Sequence, residues 1–410
     1  MTNSNTLRQF RHDIYDCFPR AKDALFNTID GLMTEIQATS FPEISQSPLF
    51  ERTWASLYEA FEDGRIDEKR LREILARYLP KPDAGKWLWI GIDASKIARP
   101  AAVTSADRTA QHMHNLPECK KPVTFGWQFS TVVALAEPVS SWTYILDQQR
   151  VASQTTAIEV AEEQLRQVVP YLPKQVIVVL DRGYDSNWLW CRCSALEVEV
   201  LGRLKSNRCF YRAAPPPTGK KGCPRKDGDK LQPKDPATHQ DPDGVWKGTD
   251  EKERPVEVTW WKHMHVKQAR YLDVTVLRVV RPHATNKERD PRVSWFVWIG
   301  DQEADVTQIA LAMCCALGKS MAIVLTSNAC CGNNHVCGPQ NSLSDGAILW
   351  RSRTIIWSWL VTWLKQNGDH GKANSASQPP NRCGAGCTNC WHVWALLPGH
   401  HNHAENRKAG

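Results

Sequence analysis

The chain has 410 residues, 42% of them hydrophobic and 23% charged, which is the balance of a globular protein with room for two or three domains. No apolar run reaches the length of a bilayer span, and the N-terminal Met-Thr-Asn-Ser-Asn-Thr-Leu-Arg lacks the apolar segment of a secretory signal, so neither a membrane protein nor a secreted one is expected, and a cytoplasmic one is. The net charge of +7 is unevenly placed: residues 1–311 carry 43 Lys and Arg against 41 Asp and Glu, whereas residues 312–410 carry 8 against 3, along with 8 of the 14 cysteines.

Residues 7 to about 82 have helical spacing, as in Arg70-Leu-Arg-Glu-Ile-Leu-Ala-Arg-Tyr78, and Pro80 and Pro82 end the region. This predicts a small α-helical N-terminal domain over 1–84. It has no dense basic face, so a packing role suits it as well as DNA binding.

A buried strand, Trp87–Ile92, then runs into Asp93-Ala-Ser-Lys96. Two more strands, Thr124–Glu137 and Ser141–Val151, complete an antiparallel meander. Thr156–Val169 is an amphipathic helix. Val176-Ile-Val-Val-Leu180 is a strand buried on both faces that ends on Asp181-Arg-Gly-Tyr-Asp185. A short helix around Trp188–Ala195 and a strand over Val198–Leu204 follow. The order predicts an α/β sheet with carboxylates at the ends of two separate strands, where ligands collect in open sheets. Asp181 reads either as a cap on the next turn or as a metal ligand.

From Arg203 to Lys234 the chain turns basic and loop-like, with ten Lys and Arg against two Asp. Phe210 and Tyr211 sit among the charges, a mixture that suits phosphate and base contacts or a solvated linker. Val256–His263, Tyr271–Arg281 and Val293–Ile299 are further strands, which makes about 205–300 a basic, β-rich insertion. A helix begins near Asp305.

Two strand-end aspartates can share divalent cations, and hard carboxylate oxygens suit Mg²⁺ or Mn²⁺. Asp93 and Asp181 are therefore the candidate metal ligands for in-line phosphoryl displacement. Arg182 sits where phosphate oxygens would arrive, or else pairs with Asp185. Lys96, Lys205 and Arg208 are further candidate phosphate contacts.

Gly91-Ile-Asp-Ala-Ser-Lys96, Val179-Leu-Asp-Arg-Gly-Tyr-Asp185 and Leu201-Gly-Arg-Leu-Lys-Ser-Asn207 resemble the bacterial insertion-sequence DDE transposases over about residues 7–311. The resemblance implies a ribonuclease H-like core over 85–311 with three catalytic acids, metal-dependent cleavage of double-stranded DNA at transposon ends, strand transfer into target DNA, and a homodimer acting at the nucleoid. It matches the first two acids to Asp93 and Asp181. Gly222-Cys-Pro-Arg-Lys226 resembles a family segment that enters a minor groove through residues matching Arg225 and Lys226, although Cys223 stands where the family has Arg.

The family's last helix carries Tyr, then Arg, Glu and Lys at fixed spacing, and nothing after residue 311 has that pattern. Back-translated from Ala312 with suitable synonymous codons and each third base read with the next two, the chain spells Tyr-Val-Leu-Arg-Phe-Gly-Gln-Glu-His-Gly-Tyr-Arg-Phe-Asp-Lys-Gln, which fits. Its Glu codon spans Lys319 and Ser320. Residues 312–410 are thus expected to be an out-of-frame, poorly ordered tail, which leaves the chain without its third acid. The rival expectations are a non-catalytic DNA-binding remnant, a regulatory short form made beside a ribosomal-slip product, and a zinc-dependent DNA-binding or interaction protein using Cys383, Cys387, Cys390 and His392.

Overall fold

The computed structural model describes residues 4–312 apart from 36–40, 84, 99, 101–102, 105–106, 113–122, 136–143, 217–222, 251–252 and 286–290. The chain divides into two units, the described part of the first ending at Asp67 and the second beginning at Glu68. The first holds α1 (Ser4–Tyr15), α2 (Lys22–Thr34), α3 (Phe41–Ile44) and α4 (Trp54–Asp63). Ile14, Phe18, Leu25, Ile29, Leu57 and Phe61 are buried there, the apolar stripes that the helical spacing of the sequence requires.

The second unit opens with α5 (Glu68–Arg77), followed by a sheet whose central strands are β1 (Leu88–Ala98), β2 (Thr109–His112), β3 (Val123–Leu135), β4 (Tyr144–Val151), β5 (Val176–Leu180) and β6 (Glu199–Arg203). β1 pairs antiparallel with β3, β3 antiparallel with β4, β1 parallel with β5, and β5 parallel with β6. The spatial order β4-β3-β1-β5-β6 is an antiparallel meander extended by two parallel strands, the ribonuclease H-like arrangement. The parallel pairs require crossovers, and α6 (Ala157–Val168) and α7 (Asn187–Ala195) supply them. α6 starts at a capping box in which Thr156 Oγ1 accepts from the Glu159 N–H (3.3 Å) and Glu159 Oε2 accepts from the Thr156 N–H (2.8 Å). Against this layer Arg72 of α5 forms a buried ion pair with Asp147 of β4 (Nε–Oδ1 2.8 Å), and Gln164 of α6 donates to the other carboxylate oxygen (2.8 Å).

The insertion continues the same sheet. β7 (Phe210–Tyr211), β8 (Lys230–Leu231), β9 (Gly244–Thr249), β10 (Pro255–Val266), β11 (Ala269–Val280) and β12 (Val293–Ile299) follow, and β12 pairs antiparallel with β6 to give a mixed sheet of 12 strands.

Period-two alternation sends side chains to two faces. Leu88, Ile90, Ile92, Val176, Val178 and Leu180 face α6 and α7 in one core. Ile177, Val179 and Leu201 lie in a second core with Val306, Ile309 and Ala310 of the helical residues 306–312. Among the described residues no helix is long and apolar enough to cross a membrane. The predicted shifted reading, the low order of the tail and the Cys383–His392 cluster all lie outside the described residues.

Candidate active site

The parallel pairing of β1 with β5 ends at Ile92 opposite Leu180, and Asp93 and Asp181 come next. The strand expected to end at Ile92 runs on to Ala98, with Asp93 paired to Thr131 because β3 continues beside it, so Asp93 lies mid-strand and only Asp181 follows a strand end. Counting by twos from Trp89 and from Ile177 puts both on the sheet face that the 306–312 helix covers. The two carboxylates act on each other. Burial, and then the negative charge of Asp181, push the Asp93 carboxyl up to about 6, while the Ala94 N–H, which donates to its Oδ1 at 2.7 Å, pulls the other way.

Asp181 realises the first of its two expected roles, the cap. It caps the one-turn helix Arg182–Tyr184, its Oδ1 accepting from the Gly183 N–H at 2.7 Å. It also stands beside Asp93. Gly183 is needed because a Cβ there would lie 3.0 Å from Asp181 Oδ1; its φ is not left-handed, so close approach and not turn geometry selects glycine. In each carboxylate Oδ1 takes a backbone N–H, and Oδ2 has no hydrogen bond among the described residues. A pair of hard oxygen donors whose charges repel suits a divalent cation, which would relieve the strain on Asp93. Among the described residues no third His, Cys, Asp or Glu joins them.

Tyr184 lies close enough to feel both charges, in the core that faces α6 and α7. Its phenol is buried, and burial together with the charges of Asp93 and Asp181 raises its pKa far enough to keep it a neutral hydroxyl at any working pH. Sequence reasoning assigned no role to this tyrosine, although it sits inside the Asp-Arg-Gly-Tyr-Asp motif.

The candidate cations divide. Arg182 is exposed and makes no hydrogen bond or ion pair with the described residues. Asp185 pairs with Arg208 and not with Arg182. Its buried carboxylate takes Arg208 Nε (2.8 Å) and a terminal guanidinium nitrogen on Oδ1, and the Lys205 N–H (2.8 Å) on Oδ2. Arg208 also donates to the Asp185 carbonyl (2.7 Å) and to Asn187 Oδ1 (2.9 Å), and lies over the Trp190 ring at 5.0 Å. It clamps the end of β6 to the start of α7. Lys205 keeps its ammonium exposed. Lys96 donates to the His112 carbonyl at 3.0 Å, and alternation puts it on the sheet face opposite Asp93.

Arg225 and Lys226 are exposed with no partner among the described residues. The next residue anchors them: Asp227 accepts from Arg270 Nε (2.7 Å) and from His265 Nε2 (3.0 Å). Asp227 and Asn187 were not singled out by sequence reasoning, and Asp185 was named only as a partner for Arg182. Their partners lie 20 to 81 residues away, so no local spacing could have found them.

The sequence profile of the DDE superfamily endonuclease family matches residues 13–265. No curated protein matches the chain. Among solved structures, a piggyBac transposase in a synaptic complex with hairpin DNA superposes with a TM-score of 0.35 at 12% identity, covering 87% of this chain and 68% of that one.

Proposed function

Because this chain belongs to the DDE superfamily endonucleases, we propose that its second unit is the catalytic core of a bacterial insertion-sequence transposase that cleaves and joins double-stranded DNA. The observation that carries the reading is the pair of mutually repelling carboxylates, Asp93 and Asp181, side by side where the parallel pairing of β1 and β5 ends.

Asp93 and Asp181 would hold Mg²⁺ or Mn²⁺, which when bound supplies Lewis-acid activation of the nucleophilic oxygen and neutralises charge at phosphorus. The chain's own groups do the rest. The Ala94 and Gly183 N–H groups fix the two Oδ1 atoms, so that both Oδ2 atoms are presented without a competing protein donor. Tyr184, kept a neutral phenol by burial and by both carboxylates, adds no charge of its own beside them. Arg182, next to Asp181 in the chain and unpaired, suits a phosphodiester oxygen, while Arg225 and Lys226, held by Asp227, suit the minor groove. A homodimer working on paired DNA ends in the cytoplasm, and the division into a helical domain over 1–84, a core over 85–311 and a tail over 312–410, complete the proposal.

The chain in its given frame is catalytically weak, because two carboxylates leave a second ion underheld. It would then act as a DNA-binding remnant or short form. The test compares the given chain with one whose frame is shifted back from Ala312, on DNA carrying the element's ends, with Mg²⁺ or Mn²⁺. Cleavage by the restored chain alone is expected. Robust cleavage by the given chain would sink the claim of a missing acid, and failure of both to cleave or bind DNA would sink the transposase reading.

A further inference from the structure

Beside the carboxylate strands the surface opens into a cleft of about 440 Å³, lined chiefly by Lys205, Asn207, Arg208, Tyr211, Lys267 and Gln268. Its size falls in the range of roughly 300–1,000 Å³ typical of single-ligand sites. Its walls come from three places in the chain: the loop after β6, strand β7, and the β10–β11 turn. A hydrogen bond from Asn187 Nδ2 to Gln268 Oε1 (3.1 Å) joins that turn to α7. The floor is rigid, since Arg208 uses four of its five N–H groups on Asp185 and Asn187.

The charge of Arg208 is met by buried Asp185, so the uncompensated charge of the cleft is that of Lys205 and Lys267. Both are exposed, and neither forms an ion pair among the described residues. The Lys267 ammonium lies 4.8 Å from the centre of the half-buried Tyr211 ring, on a flexible stem that can leave the ring for an anion. Asn207 and Gln268 add amide donors and acceptors. Two free ammonium groups, one aromatic face and two amides around a hole of this size match the parts of a single nucleotide: an anionic phosphate, a flat base, and a base edge that hydrogen-bonds.

We propose that this cleft binds one unstacked nucleotide of a DNA strand, with its phosphate between Lys205 and Lys267 and its base against Tyr211. The site extends the DNA-cleaving reading above and rests on it. Lys205 donates its backbone N–H to Asp185, which closes the same Asp-Arg-Gly-Tyr-Asp motif that opens with Asp181, so the cleft is tied to the chain segment that carries the second acid.

The test uses the full chain and three fluorescent probes: a single-stranded oligo-dT, a duplex with one unpaired thymidine, and the same duplex fully paired. The wild type is expected to bind the first two more tightly than the third. Tyr211→Ala should lose that preference by about five- to a hundredfold while Tyr211→Phe keeps it. Lys267→Ala, at an exposed turn where folding is not at risk, should weaken oligo-dT binding and reduce the log–log salt slope by about 0.7. Equal binding of all three probes by the wild type, or a preference that survives both Tyr211→Ala and Lys267→Ala, would overturn the nucleotide site while leaving the DNA-binding reading intact. No binding of any probe would overturn both.

Discussion

Replacing Asp93 by asparagine tests the carboxylate pair without any DNA. Burial and the neighbouring Asp181 raise the Asp93 carboxyl from 3.8 to about 6, so the fold disfavours its ionised form. The stability that Asp93 allows is fully present below pH 3.8 and is lost as the pH rises through about 6. A shift of that size corresponds to about 3 kcal/mol at full value. Part of the carboxylate meets solvent, which trims the expected penalty to about 1–2 kcal/mol. The asparagine amide would keep an oxygen for the Ala94 N–H and carry no charge. In urea unfolding at pH 7.5 with EDTA, Asp93→Asn should therefore be more stable than the wild type by about 1–2 kcal/mol, with the difference fading towards pH 4. Added Mn²⁺ should stabilise the wild type and leave the variant unmoved. A variant less stable than the wild type at pH 7.5, or a difference independent of pH, would refute the idea that two adjacent carboxylates are held against their own repulsion.

Three further outcomes are expected. Asp227→Asn removes a negative charge beside a basic loop, so simple electrostatics calls for tighter DNA binding; if Asp227 positions Arg225 and Lys226 through Arg270 and His265, a binding titration will instead show it weakened several-fold. Glu199, at the far end of β6, is raised from 4.5 to about 7 by burial, so its stabilising effect is lost as the pH rises through 7, and Glu199→Gln should stabilise the protein at pH 8 by about 1 kcal/mol and change little at pH 5 in thermal or urea unfolding. Arg72→Ala strands the buried Asp147 carboxylate and should cost about 3–5 kcal/mol by urea unfolding, where a loss under 1 kcal/mol would mean that water reaches the pair.

The sheet core was legible because its strands are local and strongly patterned. Val176–Leu180 is five consecutive apolar residues between Gln175 and Asp181, and such a run is strand-like wherever it is read. The meander and the two crossover helices followed from order alone. The short strands β2, β7, β8 and β9 were missed for the opposite reason. β9 reads Gly-Val-Trp-Lys-Gly-Thr, half-exposed and glycine-rich, and it becomes a strand only because β10 offers it a partner. The site divides in the same way. Asp93 and Asp181 announce themselves as carboxylates that end apolar runs, whereas the fate of Arg208 depends on Asp185, whose identity as a buried partner is a tertiary fact. A run of basic residues shows charge and cannot show which charges are already compensated.

The helix at 306–312 links the carboxylate pair to the residues that follow it. It packs on the face that holds Asp93 and Asp181, and the turn that leads into it passes the beginning of β6, where the Asp301 N–H meets Glu199 at 3.3 Å. From that level to Asp181 is four strand residues, about 13 Å at roughly 3.3 Å each. A helix carried on along the strands at about 1.5 Å per residue would draw level with the carboxylates about nine residues after Val306, and later with tilt. In the given frame, residues 316–320 read Ala-Leu-Gly-Lys-Ser and offer no acid. In the proposed shifted frame, suitable synonymous codons would place a Glu codon across Lys319 and Ser320, a few residues further on. The proposed frame and the sheet geometry both call for a carboxylate on this stretch. Restoring the frame should therefore give a chain that Mn²⁺ stabilises more than it does the present one, and a Glu→Gln change at the restored position should remove the gain. If the restored chain showed no greater stabilisation by Mn²⁺, the helix could not be the carrier of the third acid.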